Sequence, residues 1–122
     1  MFTTMPPALP HVKTGRLRAL AVASARRTSL LPDLPTTAET GARGVEASSW
    51  NGVLVPAGTP REIIARLHAE LSGVMKLPEI GERLAAAGVE PMLTTPAEFA
   101  AYIESETARY AKVVKFSGAQ LD

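Results

Sequence analysis

The segment Val45–Glu62 constrains the fold of this chain more than any other, because it joins an apolar run to a helix start. Within it, Val53–Val55 is a short apolar run between a glycine and a proline, which is typical of a strand buried on both faces. Thr59 and Glu62 have the spacing of a capping box, with a proline at the first helical position. The segment therefore predicts a buried strand that leads directly into a capped helix, which is half of a βαβ unit.

The other elements are predicted from apolar periodicity and from glycine and proline punctuation. Helices are expected over residues 7–14, from 36 or 37 to 40, from 60 towards the proline at 78, from 78 to 87 and from 96 to 117. Apolar runs predict strands at residues 1–5, 17–23 and 89–93, the last at a sheet edge because it contains a proline. This alternation predicts an α/β fold with a short mixed sheet flanked by helices.

The last helix is expected to begin with a second capping box, Thr95 to Glu98, and to end at Gly118. Its apolar residues fall on one broad face at helical spacing. Its charged residues are expected on the solvent side, and these are Glu104, Glu106, Arg109 and Lys112.

Several classes of function are disfavoured by the residues present. The chain has no cysteine, which excludes disulfides, thiolate metal sites and a cysteine nucleophile. Thirteen basic and twelve acidic residues leave a formal charge of +1, too balanced to favour nucleic-acid or membrane-surface binding. His11 and His68 stand alone without metal-binding spacing, and no phosphate loop or nucleophile elbow occurs. We therefore expect no catalytic residue, no metal, no cofactor, no membrane insertion and no enzymatic activity.

Two sets of residues leave a structural and a functional interpretation open. Arg26 and Arg27 lie beside hydroxyl-bearing residues and could bind an anion, or they could belong to a solvated loop. Trp50 could stack on a ligand, or it could pack in a core or domain contact.

Five segments follow one another along the chain: GRLRALAVASARR, LPDLPTTAETG, VEASSWNGVLVPAGTPREIIARL, PEIGERLAAAGVEP and TPAEFAAYIESETARYAKVVKFSG. This order resembles the carboxyl-terminal part of the Bug-type (TctC-like) proteins, the extracytoplasmic solute-binding proteins of tripartite tricarboxylate transporters. The second segment and the stretch SSWNGVLVPAGTP are the most specific parts of the resemblance.

The resemblance implies a partial type II periplasmic-binding-protein fold, in which two lobes close on a small carboxylate by hinge motion. Residues 1–46 would be a remnant of the second lobe. Residues 47–122 would be the crossover strand and the carboxyl-terminal part of the first lobe. Because family members are much longer, one copy of this chain is expected not to assemble a complete cleft.

Candidate ligand-binding residues also come from the resemblance. It places Thr3 and Thr4 in a cleft-facing loop, and Ser49, Trp50 and Asn51 in the crossover segment near the cleft. Thr3 stands where relatives often carry an aspartate. For each of these residues, ligand contact and a purely structural role both remain open.

The function implied is that of a truncated or partial solute-binding protein for tricarboxylates, dicarboxylates, acidic amino acids or aromatic acids, with the transporter's membrane subunits as partners. A homodimer is expected, because the apolar runs 17–23 and 53–55 lack their family neighbours. The alternative is a stand-alone interaction or regulatory module that keeps the fold without transport. The family is periplasmic, whereas a chain that truly starts at Met1 has no export signal and would stay in the cytoplasm.

Overall fold

The computed structural model describes residues 1–119, which form four helices joined by turns and by segments without regular secondary structure. The helices are α1 (Met5–Lys13), α2 (Arg61–Met75), α3 (Pro78–Ala86) and α4 (Pro96–Ser117). Residues 120–122, the end of the predicted first-lobe region, lie outside the described residues.

The predicted start and end of α4 are confirmed. The backbone N–H of Glu98 donates to the Thr95 hydroxyl, and the Glu98 carboxylate accepts from the Thr95 backbone N–H at 2.8 Å, which completes a capping box. Gly118 ends the helix in the left-handed conformation with φ of 67°. Gly88, after α3, has φ of 75° and acts in the same way.

The capping box predicted between Thr59 and Glu62 is wrong. Pro60, not Thr59, is the residue that precedes α2, so the threonine lies one position too early to cap. Its hydroxyl instead donates to the carbonyl of Pro56 at 2.8 Å. The start of α2 therefore carries no side-chain cap.

The predicted mixed sheet is not confirmed within residues 1–119. The described residues contain one isolated parallel bridge, between Val22 and Thr36, and none of the runs 1–5, 17–23, 53–55 and 89–93 forms a strand. The prediction that Val53–Val55 is buried is wrong, since Val53 and Leu54 are 68% and 73% exposed. A segment becomes a strand only when a neighbour pairs with its backbone over several residues, and the single bridge at Val22 is too short for this within the described residues.

A short helix predicted from residue 36 or 37 to 40 is replaced by turns. Thr40 N–H bonds the Thr36 carbonyl at 3.2 Å, but this single turn does not continue. The backbone N–H of Thr37 bonds Val22, and its hydroxyl donates to the carbonyl of Val45 at 2.7 Å. These tertiary bonds fix the segment as a connector between the bridge and the residues that follow.

The described structure has little apolar core. Leu9 is its one buried apolar side chain. The chain exposes 9893 Å², whereas a compact monomer of 12.9 kDa exposes about 6,300 Å², so the excess is about 3,600 Å². Much of the surface that a folded domain would cover is therefore open to solvent. No described helix is both long and apolar enough to span a membrane.

Candidate functional site

Residues 45–52, here called the crossover segment, belong to no helix or strand and contact both the amino-terminal part of the chain and α4. The backbone N–H of Ala47 donates to the carbonyl of Ala23 at 2.9 Å. On the other side, Nη1 of Arg109 donates to the carbonyl of Glu46 at 2.8 Å. Neighbouring residues of the segment are thus held from two sides by parts of the chain far apart in sequence.

Trp50 packs on α4 through two edge-to-face aromatic contacts. Its ring centroid lies 5.6 Å from that of Phe99, at an interplanar angle of 89°. It lies 5.5 Å from that of Tyr102, at 74°. Both arrangements are favoured by aromatic quadrupoles. Of the two interpretations left open for Trp50, these contacts favour packing, although 37% of the residue stays exposed.

Gly52 permits this aromatic packing. A Cβ atom at Gly52 would lie 2.1 Å from Cζ of the Phe99 ring and 2.7 Å from its Cε1, far inside van der Waals contact. Since no other residue leaves that space free, the glycine is required for the ring of Phe99 to lie against the crossover segment.

An ion pair on α4 anchors the crossover segment, and we call it the Arg109–Glu106 latch. Arg109 donates from Nε to Oε1 of Glu106 at 2.9 Å and from Nη2 to Oε2 at 2.6 Å. This bidentate bond raises the pKa of Arg109. Glu106 is only 9% exposed, so the prediction that it lies on the solvent side of α4 is wrong. The i, i+3 spacing of the two charges was the sequence cue for the pair.

A small open depression of about 230 Å³ lies beside the latch. Three of the five N–H donors of Arg109 are used by Glu106 and Glu46, which leaves two for another acceptor. The volume is below the range of about 300–1,000 Å³ typical of small-molecule sites. Its lining residues are Ala23, Ser24, Ala25, Glu46, Ser48, Tyr102, Glu106 and Arg109. The depression offers hydrogen-bond donors to an oxygen-rich group, but it does not enclose one.

The predicted ligand-binding residues lie in two separate groups. Thr3 and Thr4 are exposed and precede α1, and the Thr4 side chain makes no capping bond. Ser49 and Asn51 are exposed on either side of Trp50. Within residues 1–119, no hydrogen bond joins the first group to the second. Their roles as ligand contacts therefore remain predictions.

Arg27, one of the two arginines considered for an anion site, is already paired with a carboxylate. It donates to Glu39 from Nε at 3.1 Å and from Nη2 at 2.9 Å. The hydrogen bond from Arg27, followed by that from the backbone of Thr36, lowers the pKa of Glu39 to about 2. Arg27 thus secures the loop at residues 27–39, which favours the structural interpretation.

A second carboxylate joins distant parts of the chain. Glu90 accepts hydrogen bonds from the hydroxyl of Ser29 and from its backbone N–H, the latter at 2.7 Å. The hydroxyl bond is the main cause of a lowered pKa for Glu90. Nearby, the start of α1 packs so closely on Gly88 that a Cβ there would lie 3.0 Å from Cα of Pro6. These contacts fix the amino-terminal residues beside the end of α3.

Neither histidine belongs to a metal site within the described part of the chain. No group of three histidine, cysteine, aspartate or glutamate side chains could hold a metal ion there. Nε2 of His68 lies 2.9 Å from the carbonyl oxygen of Thr94, so this ring joins α2 to the residues that precede α4.

Solved structures show the same fold over part of their length. Rpa4515 of R. palustris, solved with adipate, matches with a TM-score of 0.78 and 36% identity, over 93% of this chain and 38% of that one. MatC (Rpa3494) from Rhodopseudomonas palustris with bound malate matches at 0.74 and 30%, over 90% and 38%. The periplasmic binding protein BugD matches at 0.77 and 30%, over 93% and 38%. The described structure is thus part of a periplasmic-binding-protein fold.

Sequence comparisons agree. The chain is 38% identical to BugT of Bordetella pertussis strain Tohama I over 117 residues, which are 96% of this chain and 36% of BugT. It is 34% identical to a UPF0065 protein of Agrobacterium vitis over 111 residues, 88% of this chain and 32% of that protein. The chain thus spans about a third of the length of these relatives. The TctC model, described as tripartite tricarboxylate transporter family receptor, matches residues 1–119. The predicted relationship is confirmed: this chain belongs to the TctC family of tripartite tricarboxylate transporter receptors.

Proposed function

We propose that this chain forms part of a receptor that captures a small carboxylate for a tripartite tricarboxylate transporter. The observation that carries the proposal is the family match across residues 1–119. Two structural neighbours carry the dicarboxylates adipate and malate, which makes a dicarboxylate the first ligand class to test. The family is described as a receptor family, and we assign no catalytic step to this chain.

One copy of the chain supplies only some of the walls that a carboxylate cleft requires. It covers 38% of the length of each of the three solved neighbours described above. A second depression, of about 510 Å³ between α1 and residues 31–34, is open and mostly apolar. A carboxylate binds tightly only when several donors converge on it and water is excluded. We therefore expect weak binding or none by the isolated chain.

The division of the chain into two lobe remnants is part of this proposal. Residues 1–46 would come from one lobe and residues 47–122 from the crossover and the other lobe. The crossover segment, held by Ala23 on one side and Arg109 on the other, supports a boundary near residue 47. Thr3, Thr4, Ser49, Trp50 and Asn51 would then lie along the cleft of the assembled receptor.

Partners and location follow from the same assignment. The membrane subunits of the transporter would receive the loaded receptor. The periplasm would be its compartment, because BugD is described as a periplasmic binding protein. Self-association into a homodimer would cover part of the exposed surface. No described contact favours the alternative of a stand-alone regulatory module.

Calorimetry of the chain with adipate, malate and citrate tests the proposal, and Trp50, the single tryptophan, gives a second readout by fluorescence. Adipamide, which lacks the charges of adipate, is the control ligand. We expect no measurable binding by the chain alone. We expect adipate binding when the chain is mixed with the complementary portion of Rpa4515 that it does not match.

Two results would count against the proposal, and they are distinguishable. Sub-micromolar carboxylate binding by the isolated monomer contradicts the incomplete cleft. Absence of adipate binding in the mixture contradicts the receptor assignment, provided that the same portion of Rpa4515 binds adipate when mixed with its own native counterpart.

A further inference from the structure

The carboxylate of Glu90 is bound by a loop that lies far from it in sequence. Its Oε1 accepts hydrogen bonds from the hydroxyl of Ser29 and from the Ser29 backbone N–H, the latter at 2.7 Å. The hydroxyl bond is the main cause of the lowered pKa of Glu90, and the N–H, the Thr28 hydroxyl and the charge of Arg26 lower it further. Residues 26–29, here called the donor loop, thus combine the amide, hydroxyl and cationic groups that bind anions in proteins.

Contacts that do not involve Glu90 hold the donor loop in shape. Arg27 donates to Glu39 from Nε at 3.1 Å and from Nη2 at 2.9 Å. The hydroxyl of Thr28, a residue only 7% exposed, accepts from the backbone N–H of Leu30 at 3.2 Å. Because these bonds are independent of the bound carboxylate, we expect the loop to keep its donors in place when Glu90 is replaced.

The position of Glu90 is set by the end of α3. Gly88 follows this helix in the left-handed conformation, and the N–H of Val89 donates to the carbonyl of Leu84 at 2.9 Å. A Cβ at Gly88 would lie 3.0 Å from Cα of Pro6, so the backbone after α3 packs directly on the start of α1. The chain after α3 therefore contacts the amino-terminal part at two places, the start of α1 and the donor loop.

We propose that the donor loop is a binding site for one carboxylate, and that Glu90 occupies it in the folded chain and so clasps residues 1–46 to the end of α3. These two regions are the lobe remnants of the proposed function, but the site depends only on the contacts just described. The clasp joins them through residues outside the crossover segment. A hinge motion that separated the regions at this place would therefore have to break it.

Chemical rescue tests the site, because acetate can supply the carboxylate that Glu90→Ala removes. In urea unfolding, Glu90→Ala should raise the unfolding equilibrium constant about tenfold, since two hydrogen bonds to a charged but exposed group are lost. Sodium acetate at about 0.5 M should lower that constant again by a factor of about two to three, for a dissociation constant of roughly 0.3 M.

Three controls separate this rescue from general effects of the salt. Acetate is also added to the unaltered chain and to Glu82→Ala, which removes another exposed carboxylate of α3. Acetamide, which has the shape of acetate without its charge, and sodium chloride at the same concentration should not rescue Glu90→Ala. Equal effects of acetate on all three chains would overturn the site. Unfolding of Glu90→Ala at the same urea concentration as the unaltered chain would overturn the clasp.

The backbone amide of residue 29 gives a second readout, at the site itself. Its proton resonance should move in Glu90→Ala because the 2.7 Å bond is lost, and it should return in a saturable manner as acetate is added. Ser29→Ala keeps this N–H and removes the hydroxyl, so in the Glu90→Ala background it should weaken acetate binding. If acetate leaves the resonance unchanged in Glu90→Ala, the proposal is wrong even where the variant is less stable.

Failure of this inference differs from failure of the receptor assignment. Neither measurement uses a dicarboxylate or the complementary portion of Rpa4515. A chain without acetate rescue can therefore still restore adipate binding in that mixture, in which case the receptor assignment stands and the donor loop is not a carboxylate site. Acetate rescue supports the donor loop whether or not the mixture binds adipate.

Discussion

Substitution of Gly52 by alanine is the perturbation that most directly tests how α4 holds the crossover segment. The added methyl group would lie 2.1 Å from Cζ and 3.2 Å from Cε2 of Phe99. Both distances are shorter than a carbon–carbon contact allows, so the ring must move. Because Phe99 makes an edge-to-face contact with Trp50, that movement also disturbs the tryptophan.

The expected cost combines two effects. Insertion of a methyl group into a filled space destabilises by about 1–3 kcal/mol. Loss of one aromatic pair costs about 0.5–1.5 kcal/mol, and part of this is already contained in the first figure. The ring of Phe99 can rotate to relieve some of the clash, which places the expected loss near the lower end, at about 1–2 kcal/mol.

Urea unfolding followed by Trp50 fluorescence measures this loss, and the emission maximum of the folded state reports the tryptophan's surroundings. Gly73→Ala is the matched control, since nothing lies within 4 Å of a Cβ at that helical position. It should stabilise the chain by about 0.5–1 kcal/mol, because alanine favours a helix more than glycine does. The same chemical change is thus expected to have opposite signs at the two glycines.

Replacement of Phe99 by leucine separates the clash from other causes. In the Gly52→Ala background, the smaller side chain should restore part of the lost stability, whereas in the unaltered chain it should only destabilise. If Gly52→Ala unfolds at the same urea concentration as the unaltered chain and keeps its Trp50 emission, the proposed close packing against Phe99 is refuted.

Three further predictions concern polar contacts. Arg27 lowers the pKa of Glu39 to about 2. Ionised Glu39 should therefore stabilise the folded chain above pH 4.5, and this stabilisation should be lost as the pH falls towards 2. Glu39→Gln should remove this pH dependence from acid unfolding curves. Thr95→Ala should destabilise by about 1 kcal/mol through loss of the capping box, whereas Thr59→Ala, which removes no cap, should cost less in the same urea titration. Arg109→Lys should speed hydrogen exchange of the backbone amides in the crossover segment. Lysine cannot bind Glu106 in bidentate fashion and also reach the carbonyl of Glu46. Unchanged exchange would show that the Arg109–Glu106 latch does not hold the segment.

Local chemistry determined which helices the sequence could predict. Thr95 and Glu98 form the predicted capping box because both partners lie three residues apart in the same helix. The glycines after α3 and α4 end those helices because the left-handed conformation is a property of the residue itself. The family relationship could also be predicted from the sequence, since it depends on the order of segments along the chain.

The ligand-binding residues were harder to predict from the sequence than the helices. Thr3, Thr4, Ser49 and Asn51 were placed by resemblance, and the contacts within the described residues neither bring them together nor exclude a role in an assembled cleft. The latch was missed because the charges of α4 were assigned to solvent by periodicity alone. Periodicity along one helix does not show that Arg109 bonds the carbonyl of Glu46 in another segment, nor that Glu106 is only 9% exposed.

The sequence by itself determined the four helices, most of their ends and the family, because each depends on residues close together or on their order. The tertiary structure decided what the apolar runs become. Val53–Val55 has the composition of a buried strand, yet it forms no strand and is exposed, because a strand requires a second backbone to pair with it. Backbone pairing and burial both depend on a neighbouring segment, and no described segment pairs with Val53–Val55 to form a sheet.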